Sequence, residues 1–471
     1  MSIFYFLNGN NRSLHLTNCI KLSRLFNKSS NCNITNINYQ CSSRLNFSNS
    51  VGSTPNSKTN STEASHLNAS IPFNITSQPN QIYKLLLDNP YRFDIFTTLK
   101  YVEILQASSL SDPTIVNILS QQLLCNLDNV RTARAMSRFF RALEPSSHLT
   151  DDFFHTLISF IYDNKIYPNL NLPRIWTSYF KFLGSNRIYH KELYQDLVSL
   201  YNLYLNLFIS SNTDITTDGL VLNKRLQESI ATVNWCFCIC GFKDHTLYET
   251  VKRIIEAYKL DTSTLIRIYW SFSILNLPVT NLSEINQLLN QTLENNSLYK
   301  LSHINQIYTI LKSPSLCDEL KESELPLRDE LIETCKGYLI NSKYSKNGKI
   351  ISKSQKLVSD FLIRQNIPHQ LEILTSDLSS VDIYICLNGE KIILEVDGPT
   401  HFIRNLNDPS ETRKIGPCDF KEKMLKENGF VFISIPPIHS NTQNIKQIDE
   451  YYKELLKNSG SAHLNEILKS K

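Results

Sequence analysis

Glycine is scarce in this chain. Its 471 residues include 12 glycines, whereas average usage would give roughly 33. Only three of them, Gly184, Gly219 and Gly241, fall within residues 82–336. Helix interiors tolerate glycine poorly, while turn-rich β folds and glycine-rich phosphate loops depend on it. The shortage therefore argues against those classes and against a collagen-like chain, and it favours helices.

Long apolar runs are also missing. No stretch approaches the roughly 18 consecutive apolar residues of a membrane helix, so we expect no membrane span. The 11 cysteines have no regular spacing, which is typical of reduced, mostly buried thiols. Cys236, Cys238 and Cys240 alternate along the chain and lack the CxxC spacing of zinc sites. We therefore predict that they pack in a core.

Acidic residues are absent from the first 62 positions, which hold six basic residues. Residues 1–80 contain 16 Asn and 15 Ser, and such a stretch cannot bury enough surface to offset its ordering entropy. A basic, Ser-rich, acid-free start is typical of a transit peptide. The sequence predicts a disordered leader over 1–80 with a mitochondrial transit peptide. The alternatives are a plastid-like organelle and a low-complexity tail.

Residues 82–340 show helical periodicity and internal similarity. Trp235-Cys236-Phe237 and Trp270-Ser271-Phe272 lie 35 residues apart, and each ends a helix-like stretch. A second helix is predicted to begin at Leu247 in one copy and at Leu282 in the other, again 35 residues apart. An earlier pair of segments aligns at a shift of 40 residues. Helix pairs of this length stack into an α-solenoid of degenerate 35–40-residue repeats. An irregular helical bundle is the alternative.

One helix of this region is strongly basic. Arg131, Arg134, Arg138 and Arg141 follow helical spacing and fall within an arc of about 80°. Four guanidinium groups on one ridge can contact successive phosphates or stack on bases. A helix face that is merely exposed to solvent would show the same arginine spacing. Residues 63–340 contain 24 basic and 28 acidic residues. Any RNA contact is therefore expected to be a local stripe.

Glycine returns in the last part of the chain, where residues 350–460 are predicted to form a small α/β domain. An Asn388-Gly389 turn joins two strand-like segments, which is typical of a hairpin. A strand stopped by Pro436-Pro437 follows a helix closed by Gly429. The predicted order is α-β-β-β-α-β-α, with elements at 352–365, 371–374, 381–385, 391–397, 420–428, 430–435 and 445–456.

Three acidic residues converge on this hairpin. Asp382 opens one strand, and Glu395 and Asp397 share a face of the next. Carboxylates grouped in this way can hold a divalent cation such as Mg²⁺ for phosphodiester hydrolysis. The order resembles the PD-(D/E)xK nuclease core, with Asp397 where a catalytic lysine is usual, so Lys391 or Lys421 would have to replace it. The alternative is that the acids bind backbone N–H groups in a fold retained for binding, with no cofactor required.

The segment from Leu394 to Phe402, which reads LEVDGPTHF, resembles the hallmark of the RAP domain, an RNA-binding domain abundant in apicomplexans. Thr400 replaces the family's serine, and the resemblance covers about 110 residues. It implies a restriction-endonuclease-like fold placed after degenerate helical repeats. It also implies an organellar protein that acts in rRNA or transcript processing, stability or ribosome assembly.

The residues of the hallmark have a physical interpretation of their own. Gly398 permits a positive φ or a close backbone approach, and Pro399 stiffens the turn. His401 can bond a phosphate or a carboxylate, or stabilise the turn. Phe402 can stack on a base or anchor the core. Lys421 and Lys423 are candidate phosphate contacts on a helix face that solvent alone would also explain.

Three functions compete on these grounds. The first is a non-catalytic protein that binds single-stranded or ribosomal RNA of an organelle, together with other RNA-processing proteins. The second is a metal-dependent endoribonuclease that uses Asp382, Glu395 and Asp397 as ligands, with Lys391 or Lys421. The third is a protein-binding scaffold of a ribonucleoprotein particle. The sequence favours the first and leaves catalysis open.

Overall fold

The structure is a computed structural model, and it describes only part of the chain. The described residues are 82, 84, 94–107, 113–125, 127, 133–144, 149–168, 172–211, 221–279, 281–295, 299–318, 320–344, 351–375, 379–436 and 444–469. They lie within one compact unit that extends from Pro72 to Lys471. The predicted leader over residues 1–80 falls outside the described residues, and so does Arg131.

Helices dominate the described chain. The first part, called here the helical part, contains the following helices in chain order: α1 (Ile95–Ala107), α2 (Pro113–Cys125), α3 (Ala133–Ala142), α4 (Asp151–Asp163), α5 (Pro173–Ser185), α6 (Lys191–Ser211), α7 (Lys224–Cys240), α8 (His245–Ala257), α9 (Thr262–Ile274), α10 (Leu282–Glu294), α11 (Lys300–Leu311), α12 (Pro314–Cys317) and α13 (Leu325–Tyr344). A two-residue strand, β1 (Ile188–Tyr189), precedes α6. No described helix is both long and apolar enough to cross a bilayer.

Short polar side chains set the starts of these helices. Thr150 caps α4, Asp244 caps α8 and Asp261 caps α9, and each side chain accepts a hydrogen bond from a backbone N–H of the first turn. Gly241 ends α7 with a φ of 61°, a conformation that favours glycine. Gly241 and the polar caps thus stand at helix boundaries.

Alternate helices pack side by side in a row. This row, called here the first layer, consists of α1, α3, α5, α7, α9, α11 and α13, each in contact with the next. The intervening helices α2, α4, α6, α8 and α10 are called the second layer, in which α2 packs on α4 and α6 on α8. Aromatic residues fill the space between helices, as where Phe180 meets Phe237 with ring centroids 5.3 Å apart. Cys236, Cys238 and Cys240 are fully buried here, which confirms their predicted place in a core.

The second part, called here the α/β domain, is built on a four-stranded mixed sheet. Its elements are α14 (Lys353–Arg364), β2 (Gln370–Leu374), β3 (Ser380–Leu387), β4 (Glu390–Val396), β5 (Arg404–Asn405), α15 (Gly416–Glu427), β6 (Val431–Ile435), α16 (Ile445–Lys457) and α17 (Ala462–Lys469). The strand order is β2-β3-β4-β6, with β2, β3 and β4 antiparallel in turn and β6 parallel to β4. The predicted order of seven elements is present, and α17 extends the domain beyond the predicted boundary at residue 460.

Each face of this sheet has its own apolar cluster. On one face, α14, α16 and α17 bury Phe361, Tyr452 and Leu464 against strand residues. On the other face, Leu425 of α15 packs on Ile393. Glu395 and Asp397 lie on the α15 side of β4, because both share the strand face of Ile393.

The segment between β4 and α15 fastens the α/β domain to the helical part. β5 pairs in parallel with β1, with Ile188 opposite Arg404. Arg404 donates from Nη1 to the carbonyl of Asn186 at 2.8 Å, and Arg413 donates to the carbonyl of Cys240 at 2.9 Å. Both carbonyls lie at helix C-termini, where cations interact favourably with the helix dipole. The two parts therefore share one packed interface.

Candidate functional site

The site forms where two strands separate. The backbone pairing of β3 with β4 ends at Ile383 and Leu394. Beyond this point the side chains of Asp382 and Glu395 accept the hydrogen bonds of backbone N–H groups. The Asp382 carboxylate accepts the N–H of Val396 at 2.8 Å, and Glu395 accepts the N–H of Asp382 at 3.4 Å. Binding of backbone N–H groups is the alternative role considered for these acids, and here it is observed for both.

Gln355 of α14 holds Asp382 from another side, together with Glu372 of β2. Its amide Nε2 donates to Asp382 Oδ1 and to Glu372 Oε1, both at 2.6 Å. Sequence reasoning missed this residue. The capping box that Gln355 forms with Ser352 identifies a helix start, but it gives no sign that the amide reaches across to the sheet.

Glu395 is buried and paired with a lysine. Its side chain is 8% exposed, and its Oε2 lies 2.8 Å from Lys421 Nζ of α15, whose side chain is 32% exposed. Burial raises the pKa of Glu395, while the Lys421 ammonium acts in the opposite direction. Lys421 is therefore the predicted lysine that reaches the acids, and it approaches them from the helix.

Asp397 lies at the centre of a second cluster. Its side chain is 3% exposed, with Lys414 Nζ at 3.0 Å from Oδ2 and His401 Nδ1 at 2.6 Å from Oδ1. Ser434 of β6 also donates to Oδ2. Burial raises the pKa of Asp397, but the hydrogen bonds from His401, Ser434 and Lys414 outweigh it and bring the pKa to about 2. This carboxylate is consequently ionised at neutral pH.

The ionised Asp397 carboxylate favours protonation of His401. Its hydrogen bond raises the pKa of His401 above the ordinary value of 6.5, against the opposing effect of burial. The His401 side chain remains 35% exposed. With Nδ1 facing Asp397, Nε2 is the second ring nitrogen, and it donates a hydrogen bond when the ring is protonated. The predicted contact of His401 with a carboxylate is thus present, and the protonated ring has a second donor for a ligand.

Lys414 and Ser434 complete the cluster, and neither was predicted. Lys414 follows His401 by 13 residues in an irregular segment, and its ammonium also pairs with Glu422 at 2.9 Å. Tertiary packing places Lys414 beside Asp397, since the backbone of Lys414 pairs with that of Phe402. No periodic pattern in the sequence points to it.

The turn after β4 differs from the prediction. Gly398 has a φ of −76°, and a Cβ there would meet only Thr400 Oγ1, at 3.8 Å. The positive φ considered for this glycine is therefore absent, and no described protein backbone approaches it closely. Pro399 starts a short 3₁₀ turn that ends at His401. Phe402 is half-buried beside the Lys414 backbone.

Two predicted lysines lie apart from the acids. Lys391 is exposed, and its ammonium lies 6.0 Å from the centroid of the Phe430 ring. Four residues of extended strand separate it from Glu395, about 13 Å, so the structure does not bring it to the carboxylates. Lys423 is exposed on α15 and pairs with Asp419 at 2.7 Å. Of the predicted lysines, only Lys421 joins the site.

The arginine ridge belongs to α3 of the first layer. Arg134 lies on this helix, Arg138 is half-buried and Arg141 is exposed. The Arg138 guanidinium lies 5.6 Å from the centroid of the Phe96 ring. Arg141 donates from Nε to the carbonyl of Ser137 at 3.3 Å. No described acidic side chain neutralises Arg138 or Arg141 by an ion pair.

The arrangement has two chemical capacities. It presents N–H donors from Lys421 and, when its ring is protonated, from His401, and each side chain is held by a buried carboxylate. It also holds Asp382 and Glu395 side by side, but each of their four carboxylate oxygens already has a protein partner. Within the described ranges, no group of three or more His, Cys, Asp or Glu residues is spaced to hold a metal ion.

No family model matches the chain, and no curated protein is significantly similar to it.

Proposed function

We propose that this protein binds RNA without cleaving it, and that the α/β domain contacts the RNA backbone through His401 and Lys421. The observation that carries the proposal is the pair of partly exposed basic side chains held by buried carboxylates, His401 on Asp397 and Lys421 on Glu395. Charge-assisted hydrogen bonds from such donors are the usual means of binding phosphate.

The geometry suits a phosphate in three respects. The His401 ring is oriented by its bond to Asp397, and in the protonated ring Nε2 is left to donate to a ligand. One N–H of the Lys421 ammonium faces Glu395 and leaves two others. A side chain at Gly398 would meet nothing closer than 3.8 Å, so the turn before His401 leaves room for an RNA backbone to approach.

The fold and the hallmark support RNA as the ligand. The first-layer helices α3, α5, α7, α9 and α11 begin at residues 133, 173, 224, 262 and 300. Three of the four intervals agree with repeats of about 40 residues stacked as a solenoid, and the interval from α5 to α7 is longer. The sheet with its αβββαβ order is consistent with an endonuclease-like core. Together with the resemblance to the RAP domain, these features favour a role in processing or stability of rRNA or transcripts, or in ribosome assembly.

We further propose that the protein acts in mitochondria, with a plastid-like organelle as the alternative. The support is the basic, acid-free composition of the first 62 residues. A fluorescent protein fused after residue 80 should accumulate in mitochondria, and the same fusion with Arg12, Lys21, Arg24 and Lys28 replaced by Gln should not. Diffuse fluorescence from the unaltered fusion would contradict the proposed location.

Substitution of the two cations tests the proposed contact. His401→Gln and Lys421→Gln remove a positive charge but keep a side chain able to bond the buried acid. Each should weaken binding of a labelled single-stranded RNA by about tenfold, because a charged hydrogen bond contributes about 1.5 kcal/mol or more. The control is Lys446→Gln, an exposed lysine of α16 on the opposite face of the sheet. Equal affinities for all three variants would refute the contact.

A metal-dependent endoribonuclease is the second candidate, favoured by one observation. The Lys421 ammonium lies 2.8 Å from Glu395, in the position a catalytic lysine would need beside the acids. Asp382 and Glu395 have the oxygen chemistry that Mg²⁺ prefers, and Mg²⁺ would polarise the scissile phosphate. It would have to displace Gln355 and Lys421 from their oxygens. Cleavage of RNA with Mg²⁺ or Mn²⁺ that is lost in Glu395→Gln would establish this function, whereas intact RNA bound with either metal would exclude it.

A further inference from the structure

The two layers of the helical part carry opposite charge. Five consecutive first-layer helices, α3, α5, α7, α9 and α11, contain a single acidic residue, Glu228. Their basic residues are Arg134, Arg138, Arg141, Arg174, Lys181, Lys224, Arg225, Arg267 and Lys300. The helices α1 and α13 at the ends of the row are balanced.

The second-layer helices show the reverse. The acidic residues of α4, α6, α8 and α10 are Asp151, Asp152, Asp163, Glu192, Asp196, Glu249, Glu256, Glu284 and Glu294. Their basic residues are only Lys191, Lys252 and Arg253. The slight acidic excess over residues 63–340 therefore conceals a positive first layer and a negative second layer. A polyanion would be attracted to the first layer alone.

Side-chain contacts join polar residues of neighbouring first-layer helices, most of them partly exposed and Ser178 buried. Ser137 of α3 lies 3.1 Å from Ser178 of α5, and Ser263 of α9 lies 3.1 Å from His303 of α11. Between them, Glu228 of α7 contacts cations from both sides. Lys181 Nζ of α5 is 3.9 Å away, and Arg267 Nη1 of α9 is 2.8 Å away. These contacts form a continuous polar ribbon from α3 to α11.

Two tryptophans border this ribbon. Trp235 follows Glu228 by seven residues and Trp270 follows Arg267 by three, so each lies on nearly the same helix face as the ribbon residue before it. Both are half-buried, although most of their helix neighbours are fully buried. The ring of Trp235 rests on Gly184 of α5, where a Cβ would come within 2.5 Å of it. Glycine is thus required at position 184 to seat this ring.

We propose that the ribbon binds single-stranded RNA, with Lys181 and Arg267 on phosphates and with bases stacked on Trp235 and Trp270. This inference rests on the proposed RNA-binding function and extends it to a second surface. Adjacent packed helices are separated by about 8–10 Å, which suits one base for each helix pair, as in other RNA-binding helical repeats. Tryptophans beside cations are the side chains expected for nucleobases, and they distinguish this surface from a site for an acidic peptide.

The proposed phosphate contacts of Lys181 and Arg267 are tested with matched double variants of the full chain. Lys181→Ala with Arg267→Ala removes two cations from the ribbon. Lys252→Ala with Arg253→Ala removes two cations from α8 of the second layer. A labelled oligouridine measured by fluorescence anisotropy should bind the first variant at least tenfold more weakly, with a salt slope smaller by about 1.4. It should bind the second variant as it binds the wild type.

Glu228→Gln gives a test in the opposite direction. It releases Lys181 and Arg267 from their shared partner and removes the single acidic residue of the five helices. Oligouridine should bind this variant more tightly than the wild type, which a loss of folding cannot imitate. Equal or weaker binding by a variant with an unchanged unfolding curve would overturn the role of the ribbon charges.

The proposed stacking of bases on Trp235 and Trp270 is tested by intrinsic fluorescence. The third tryptophan, Trp176, is fully buried, so quenching by RNA would report on the other two. Oligouridine should quench the wild-type emission, and Trp235→Phe with Trp270→Phe should remove the quenching while keeping an aromatic surface. Trp235→Leu with Trp270→Leu should weaken binding by about fivefold or more for each ring, and the Phe variant should restore most of the affinity. Unquenched wild-type emission at saturating RNA would overturn the stacking. Complete displacement of the RNA by polyglutamate, a polyanion without bases, would also overturn it.

The outcomes separate the two proposals. If the wild-type protein binds no RNA, the proposed function fails. If the wild type binds RNA and only His401→Gln or Lys421→Gln weakens it, the proposed function stands and the ribbon is refuted.

Discussion

The junction between the α/β domain and the helical part gives a sharp prediction at Gly416. This residue is buried at the first position of α15. A Cβ there would lie 2.0 Å from the carbonyl oxygen of Cys238 and 3.1 Å from Cγ2 of Ile274. The distance of 2.0 Å is far below any tolerated contact. The carbonyl of Cys238 belongs to the backbone, so it cannot rotate away as a side chain could. Gly416→Ala must therefore displace α15 from the ends of α7 and α9.

The expected cost follows from two effects. Overpacking of a tight contact costs about 1–3 kcal/mol. Displacement of α15 also strains the neighbouring hydrogen bond from Arg413 to Cys240, and a bond from a charged donor contributes about 1.5–3 kcal/mol. We expect Gly416→Ala to lower the free energy of unfolding by about 2–4 kcal/mol, seen as a lower urea midpoint in circular dichroism.

The matched control is Gly337→Ala. Gly337 is exposed within α13, and a Cβ there would meet nothing within 4 Å. Alanine should stabilise that helix by about 0.5–1 kcal/mol. Opposite signs for the two variants would support the packing at the junction. A Gly416→Ala protein that unfolds at the wild-type urea concentration would refute it.

Three further predictions concern the site and its attachment. The imidazole of His401 should titrate above 6.5 in an NMR experiment, and Asp397→Asn should lower its pKa, because the ionised partner is gone. RNA binding by the wild type should weaken as the pH rises through the raised pKa of His401, whereas His401→Gln should bind independently of pH in that range. Arg413→Met should lower the free energy of unfolding by about 1.5–3 kcal/mol, since it loses the bond to Cys240 and the contact with the Tyr189 ring at 4.3 Å, as measured by urea titration.

Local patterns predicted the α/β domain well. The Asn388-Gly389 turn joins β3 and β4, and Gly429, with a φ of 80°, follows α15. These signals are short in range, because a hairpin turn or a helix end is specified by two or three residues. Period-two spacing also placed Glu395 and Asp397 at the end of one strand. The helix pairs of the first part likewise follow from spacing.

The parts that sequence could not supply depend on contacts distant in the chain. Arg404 and Arg413 contact carbonyls more than 170 residues earlier, and no local pattern encodes such a pairing. Lys414 joins Asp397 only because its segment folds back along Phe402. The charge of the first layer was hidden as well, since opposite charges on alternate helices cancel in any sum along the chain.

RNA binding by the intact protein tests the central claim most directly. Six proposed phosphate contacts, Arg138, Arg141, Lys181, Arg267, His401 and Lys421, should give a slope of about −4 when the logarithm of the binding constant for single-stranded RNA is plotted against that of the salt concentration. The RNA should remain intact after incubation with Mg²⁺. Binding that is absent or insensitive to salt would contradict the account, and so would cleavage of the bound RNA.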